Sequence, residues 1–157
     1  MTQQREYAMR PSQFEDIAPV AKNMREADKQ EVWDAYMTSP EKTLTKAYEK
    51  SEKCWTILVD GEPVGMFGVS RPTMLSSTGI PWLLGTDALV ANSRSFLLPS
   101  KRCVEIMKIG YNVLENHVSV SNDISIRWLK WLGFTVEDEE ILTVTGAKFK
   151  RFYMENK

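Results

Sequence analysis

The sequence holds one histidine, His117, and two cysteines, Cys54 and Cys103. A lone imidazole cannot build a zinc site or anchor a Ser-His-Asp arrangement. The two cysteines match no metal-ligand spacing and form no disulfide framework, so a reducing, cytoplasmic setting is expected. No stretch approaches the ~18 apolar residues of a membrane span. Met1 to Arg10 is polar and has no apolar signal core. Charge of one sign is also missing. Twenty Lys and Arg face twenty-one Asp and Glu, for a net charge of −1, so no nucleic-acid partner is expected. Repeats, linkers and low-complexity tracts are absent, which predicts one domain over residues 1–157.

What is present suffices for a core. Of the 157 residues, 43% are hydrophobic, with five Trp and six Phe. Tyr7-Ala8-Met9 reads as a short opening strand. A helix follows, capped either by Ser12, which has a capping-box partner in Glu15, or by Asp16, which puts Pro19 in the tolerated first turn. Further helices are expected over Lys29–Met37 and from Ser39-Pro40 onward, with Leu44, Ala47 and Tyr48 on one face. The period then changes. Cys54–Val59 and Val64–Ser70 read as strands joined at Asp60-Gly61, a strong hairpin turn. Gly65 and Gly68 mark close backbone approach. A strand over Pro81–Val90, a helix over Pro99–Asn116 and a short strand at Val118–Val120 form a β-α-β crossover. Asp123 is placed as the cap of the next helix, which stops at Gly133 with Phe134 packing back on Leu129. Ile141–Met154 reads as a hairpin turning near Gly146. The fold class is therefore α/β (α+β), with a mostly antiparallel central sheet, one parallel strand pair formed near residues 82–90 and 118–121, and helices on both faces.

Two segments resemble the GNAT acetyltransferase family. Val59-Asp-Gly-Glu-Pro-Val-Gly65 is similar to its second-to-third strand hairpin. Asn122-Asp-Ile-Ser-Ile-Arg-Trp-Leu-Lys-Trp-Leu-Gly-Phe134 is similar to its segment of Asn, short helix and Gly-Phe. A narrower resemblance, through Pro81–Thr86 and Ile126–Lys130, is to phage acetyltransferase-like proteins grouped with an internal virion protein of short-tailed phages. The resemblance implies acetyl-CoA as co-substrate, lying between splayed fourth and fifth strands and giving its acetyl group to an amine. It maps Leu84 and Thr86 to strand-four contacts with the cofactor, Asn122 to the pantetheine amide, and Ser100, Lys101 and Arg102 to the pyrophosphate at a helix N-terminus. Residues 94–102 depart from the family's glycine-rich loop: Leu97 and Pro99 stand at its small-residue positions, and proline has no N–H to offer. The family's acidic Tyr is also missing, with Leu129 in its place. Asp87 is the candidate base and Ser125 the candidate acid.

Glu26, Asp28 and Glu31 fall in the region that shapes acceptor sites in the family, but read as a solvated helix face. Glu137–Glu140 reads as a solvated turn beside the acceptor. Two function classes remain open. One is an N-acetyltransferase acting on a small amine or on a protein amine, a host protein included. The other is a phage protein of the same fold without activity, serving in the virion or binding a host factor. Neither calls for a metal, a membrane or nucleic acid, and either fits a monomer or homodimer.

Overall fold

A computed structural model describes residues 4–156. Its strands are β1 (Tyr7–Pro11), β2 (Ser51–Val59), β3 (Glu62–Ser70), β4 (Thr78–Gly85), β5 (Val113–Ser119), β6 (Thr135–Leu142) and β7 (Lys148–Glu155). They form one seven-stranded sheet in the order β1-β2-β3-β4-β5-β7-β6, antiparallel throughout except for the β4–β5 pair. The α-helices are α1 (Ile17–Lys22), α2 (Glu26–Tyr36), α3 (Pro40–Lys50), α4 (Asp87–Ala91), α5 (Leu97–Met107) and α6 (Asp123–Leu132).

Local chemistry explains most boundaries. Ser39 caps α3 by accepting from the Lys42 N–H at 3.2 Å, with Pro40 in the first turn. Asp60 and Gly61 take φ of 51° and 80°, the left-handed pair that a two-residue hairpin requires. At Gly68 a Cβ would stand 2.4 Å from the Lys53 carbonyl, so no side chain fits. Gly133 has φ 105°, and the Phe134 N–H returns to the Leu129 carbonyl at 3.0 Å, closing α6.

Helix α1 begins after Asp16, as one of the two alternatives expected, with Pro19 as its third residue. The Asp16 carboxylate caps no N–H of α1. It accepts instead from both Arg10 guanidinium nitrogens at 2.8 Å, the Gln13 N–H at 2.8 Å and the Thr56 hydroxyl at 2.7 Å.

Two apolar clusters sandwich the sheet. Phe67, Val104, Met107, Leu114 and Phe152 belong to the cluster beneath α5 and α6. Ile17, Val20, Leu44 and Met66 form the other, beneath α1 and α3, with Trp82 and Leu84 against it. Cys103 is buried in the first cluster.

Four expectations need correction. The fourth strand ends at Gly85, not Val90: Thr86 donates both its N–H (2.9 Å) and its hydroxyl (2.8 Å) to the Val64 carbonyl, and the chain turns into α4. Helix α5 stops at Met107 because Gly110, at φ 91°, breaks the apolar stripe, and Val113–Asn116 belong to β5. The parallel pairing joins Thr78–Gly79 to Val113–Leu114, whereas residues 82–85 and 117–119 are unpaired with each other. Glu137–Glu140 lie in β6 rather than a turn, where Glu137 bonds Arg151 at 2.6 Å.

Candidate active site

The short β4–β5 pairing opens the sheet. Beyond it, the Asn116 side-chain amide donates to the Pro81 carbonyl at 2.8 Å, while its oxygen accepts from the His117 N–H at 2.8 Å. A side chain thus replaces the next ladder rung, and past it the strands part. The alternation of the β3–β4 ladder turns the Leu83 N–H and C=O into the opening, between the Pro81 carbonyl and the Gly85 N–H. A cavity of about 1130 Å³ runs through it. Trp82 and Leu84 line one face; Trp128, Leu129 and Ser125 line the other. The buried Trp128 Nε1 has no hydrogen-bond partner, and neither has the buried Thr43 hydroxyl, which lines the same cavity. Buried donors left unpaired in this way are uncommon.

Helix α2 closes the far end of the opening with polar groups. Asp28 accepts from the Gly85 N–H at 2.9 Å on β4. Glu31 accepts from the Ser119 N–H at 2.9 Å on β5. Asn122, just before α6, donates to Glu31 at 2.7 Å and to Asp28 at 3.3 Å. Arg25 reaches Asp28 at 3.1 Å and Asn122 at 3.4 Å. Arg25 thus pairs directly with one of the two carboxylates, Asp28, and Asp87 adds negative charge nearby. Burial pushes the Glu31 carboxyl up to about 7, against the Ser119 and Asn122 hydrogen bonds that favour the anion. Asp28 is also raised, first by burial, although Arg25 opposes it. Farther along α2, Asp34 is held by Gln30 at 3.1 Å and by the Thr145 hydroxyl, from the β6–β7 turn, at 2.7 Å.

The expected site residues are distributed as follows. Leu84, Ser100 and Ser125 line the cavity. Thr86 is buried against Val64. Asn122 is buried in the carboxylate cluster. Asp87 is exposed on the first turn of α4, not on a strand. The Ser100 hydroxyl is spent on the Phe96 carbonyl. Lys101 Nζ sits 4.7 Å from the Trp131 ring centroid, and Arg102 is exposed. Leu97 and Leu98 open α5, and Pro99 follows without an N–H. Sequence reasoning passed over Arg25 and took Asp28 and Glu31, though within the acceptor region, for a solvated helix face. Burial alone reveals them: in α2 the buried residues are Val32, Asp28 and Asp34, so the helix packs through polar groups as well as apolar ones. Among the described residues, no cluster of His, Cys, Asp and Glu is arranged to hold a metal, and no helix is long and apolar enough to cross a membrane.

No family model matches the sequence, and no curated protein matches it. Solved structures do. A GNAT-family acetyltransferase from Streptococcus pneumoniae superposes with a TM-score of 0.69 at 12% identity, covering 97% of this chain and 100% of that one. Ard1 from Thermoplasma volcanium gives 0.69 at 13% identity, with 96% and 98% covered. Spermidine N-acetyltransferase from Vibrio cholerae, in complex with CoA and spermine, gives 0.67 at 12% identity, with 95% of each chain covered. At these identities the likeness is one of fold. The chain has the mixed α/β fold of the GNAT acetyltransferases.

Proposed function

We propose that this chain transfers an acyl group, acetyl from acetyl-CoA in the simplest case, to an amine. The observation that carries this reading is the β4–β5 opening, with the Leu83 N–H and C=O turned into a through-sheet cavity beside Glu31. A pantetheine arm carries amide groups, and the free main-chain donor and acceptor of β4 suit them. Asn116 marks the inner limit of the opening, and Ser125 and Leu84 flank it.

The carboxylates of α2 suit a cationic acceptor, because among the described residues only Asp28 of Asp28, Glu31 and Asp34 has an ion-pair partner, Arg25. Glu31 takes a proton from the ammonium; a carboxyl with a pKa near 7 is matched to that task at neutral pH. The free amine attacks the thioester carbonyl, the C–N bond forms, the C–S bond breaks, and the thiolate takes up a proton. A thiol is acidic enough to leave without a dedicated acid; Ser125, which lines the cavity, is the proposed assistant.

A second reading is favoured by Leu97, Leu98 and Pro99 at the start of α5. There the chain, phage-encoded as the narrower resemblance implies, is a protein of the same fold without chemistry, acting in a virion or on a host protein. Thiol release with millimolar acetyl-CoA and spermidine or a lysine peptide separates the two. Release above the uncatalysed rate, with the acetylated amine seen by mass spectrometry, supports transfer. No release with any amine overturns it.

A further inference from the structure

The donor side of the opening bears a surface that a nucleotide does not explain. Exposed residues of α5 and α6 form adjoining stripes, tied where Lys101 lies over Trp131 at 4.7 Å. Apolar groups stand out from them: Leu98 is 67% exposed, Trp131 41% and Ile124 38%. Lys101, Arg102, Arg127 and Lys130 are exposed around them, and none forms an ion pair among the described residues. The acidic residues of the stripes are Asp123 and Glu105, the latter held by Lys108 at 3.2 Å. The face is therefore positive and partly apolar, and it borders the cavity through Ser100, Ser125 and Trp128.

The same face is poor at holding a nucleoside diphosphate. Leu97 and Leu98 occupy the first two positions of α5, Pro99 removes the third N–H, and the Ser100 hydroxyl is committed to Phe96. Main-chain donors that would cradle a pyrophosphate are thus few. A pantetheine thioester also exists in a form that needs no such cradle, on the arm of a small acidic carrier protein. Its single phosphodiester needs one or two cations, and its binding energy comes from a protein surface. Complementary charge around an apolar centre is what such a surface requires.

We propose that the acyl group arrives on the phosphopantetheine arm of an acidic acyl carrier protein that docks on the α5–α6 face. The inference rests on the transfer reading above and names its donor. The arm enters past Trp128, whose unpaired Nε1 offers a donor to an amide carbonyl of the arm. Chemistry is unchanged: the amine nitrogen bonds the acyl carbon, the C–S bond breaks, and the thiol stays on the carrier.

The test compares three donors of one acetyl group, with spermidine and a lysine peptide as acceptors: acetyl-loaded holo acyl carrier protein, acetyl-CoA and S-acetylpantetheine. The carrier thioester is expected to give a kcat/KM at least tenfold above that of acetyl-CoA. The double variant R127E/K130E, with an unchanged melting midpoint, is expected to lose at least tenfold with the carrier and nothing with S-acetylpantetheine. Acetyl-CoA used as well as the carrier or better overturns the inference and leaves the transfer reading standing. Transfer from none of the three overturns both. A carrier preference that survives R127E/K130E overturns the docking face. Binding to phosphatidylglycerol vesicles without any carrier preference overturns it in favour of a membrane surface.

Discussion

Two enclosed carboxylates, one on each side of β3, have opposite characters. Asp16 is 2% exposed and meets a bidentate guanidinium, a main-chain N–H and the Thr56 hydroxyl. Burial works against its charge, but Arg10, Gln13 and Thr56 together hold its carboxyl below the ordinary value. Glu31 has two neutral donors and no guanidinium of its own, and burial drives it up to about 7. The difference separates roles. A fully satisfied anion ties β1, α1 and β2 together, whereas a carboxyl near neutrality is able to exchange a proton.

The comparison can be broken first at Asp16. Asp16→Asn should destabilise by roughly 2–3 kcal/mol, because it removes the charge from a buried acceptor that Arg10, Gln13 and Thr56 all serve, while Arg10 itself stays partly in water. Urea unfolding with an unchanged slope reads this directly. Glu31→Gln should lower kcat by on the order of 10²-fold or more and remove the rise of rate through pH ~7, with less effect on KM. A pH–rate profile checks it; a profile that still rises near 7 assigns the base elsewhere.

The two carboxyls should also give stability opposite slopes with pH. A carboxyl with a raised folded pKa binds protons more tightly in the native state, so stability falls as pH rises. For Glu31 the window runs from its ordinary value of 4.5 to about 7, and the loss should be about 2 kcal/mol after screening by water. For Asp16 the sign is reversed: its contribution is present above the ordinary value of 3.8 and is lost as pH drops below it. Melting midpoints from pH 3 to 8 should therefore pass through a maximum on the acid side of neutrality, and Glu31→Gln should flatten the alkaline limb. The smallest effect is at the end of α6. Gly133→Val should cost about 1–2 kcal/mol, since a β-branched side chain resists φ near 105°. An unchanged midpoint would show that this end frays without cost.

Features governed by neighbours in sequence were legible. Asp60-Gly61, Ser39-Pro40 and Gly133-Phe134 each carry their turn or cap within a few residues. The alternation that marked the fourth strand continued through Thr86, Ala88 and Val90, so nothing local signalled its end at Gly85. That end depends on the Val64 carbonyl, on another strand, which takes both donors of Thr86. Val113 and Leu114 likewise continue the stripe of α5, and only the left-handed Gly110 separates them from it. The carboxylates of α2 read as solvated because Asp, Glu and Lys alternate there, and the reading fails at Asp28 and Glu31.

By itself the sequence determined the order of the main elements and the hairpins and caps. These follow from backbone preferences and composition, which act over a few residues. Tertiary structure alone decided how far β4 and β5 pair, that Asn116 bridges them where they part, and that Asp28, Glu31 and Asn122 meet across separations of up to 94 residues. Such meetings depend on which unpaired N–H groups the parted strands leave for α2 to satisfy. That is a property of the closed sheet and not of any one segment.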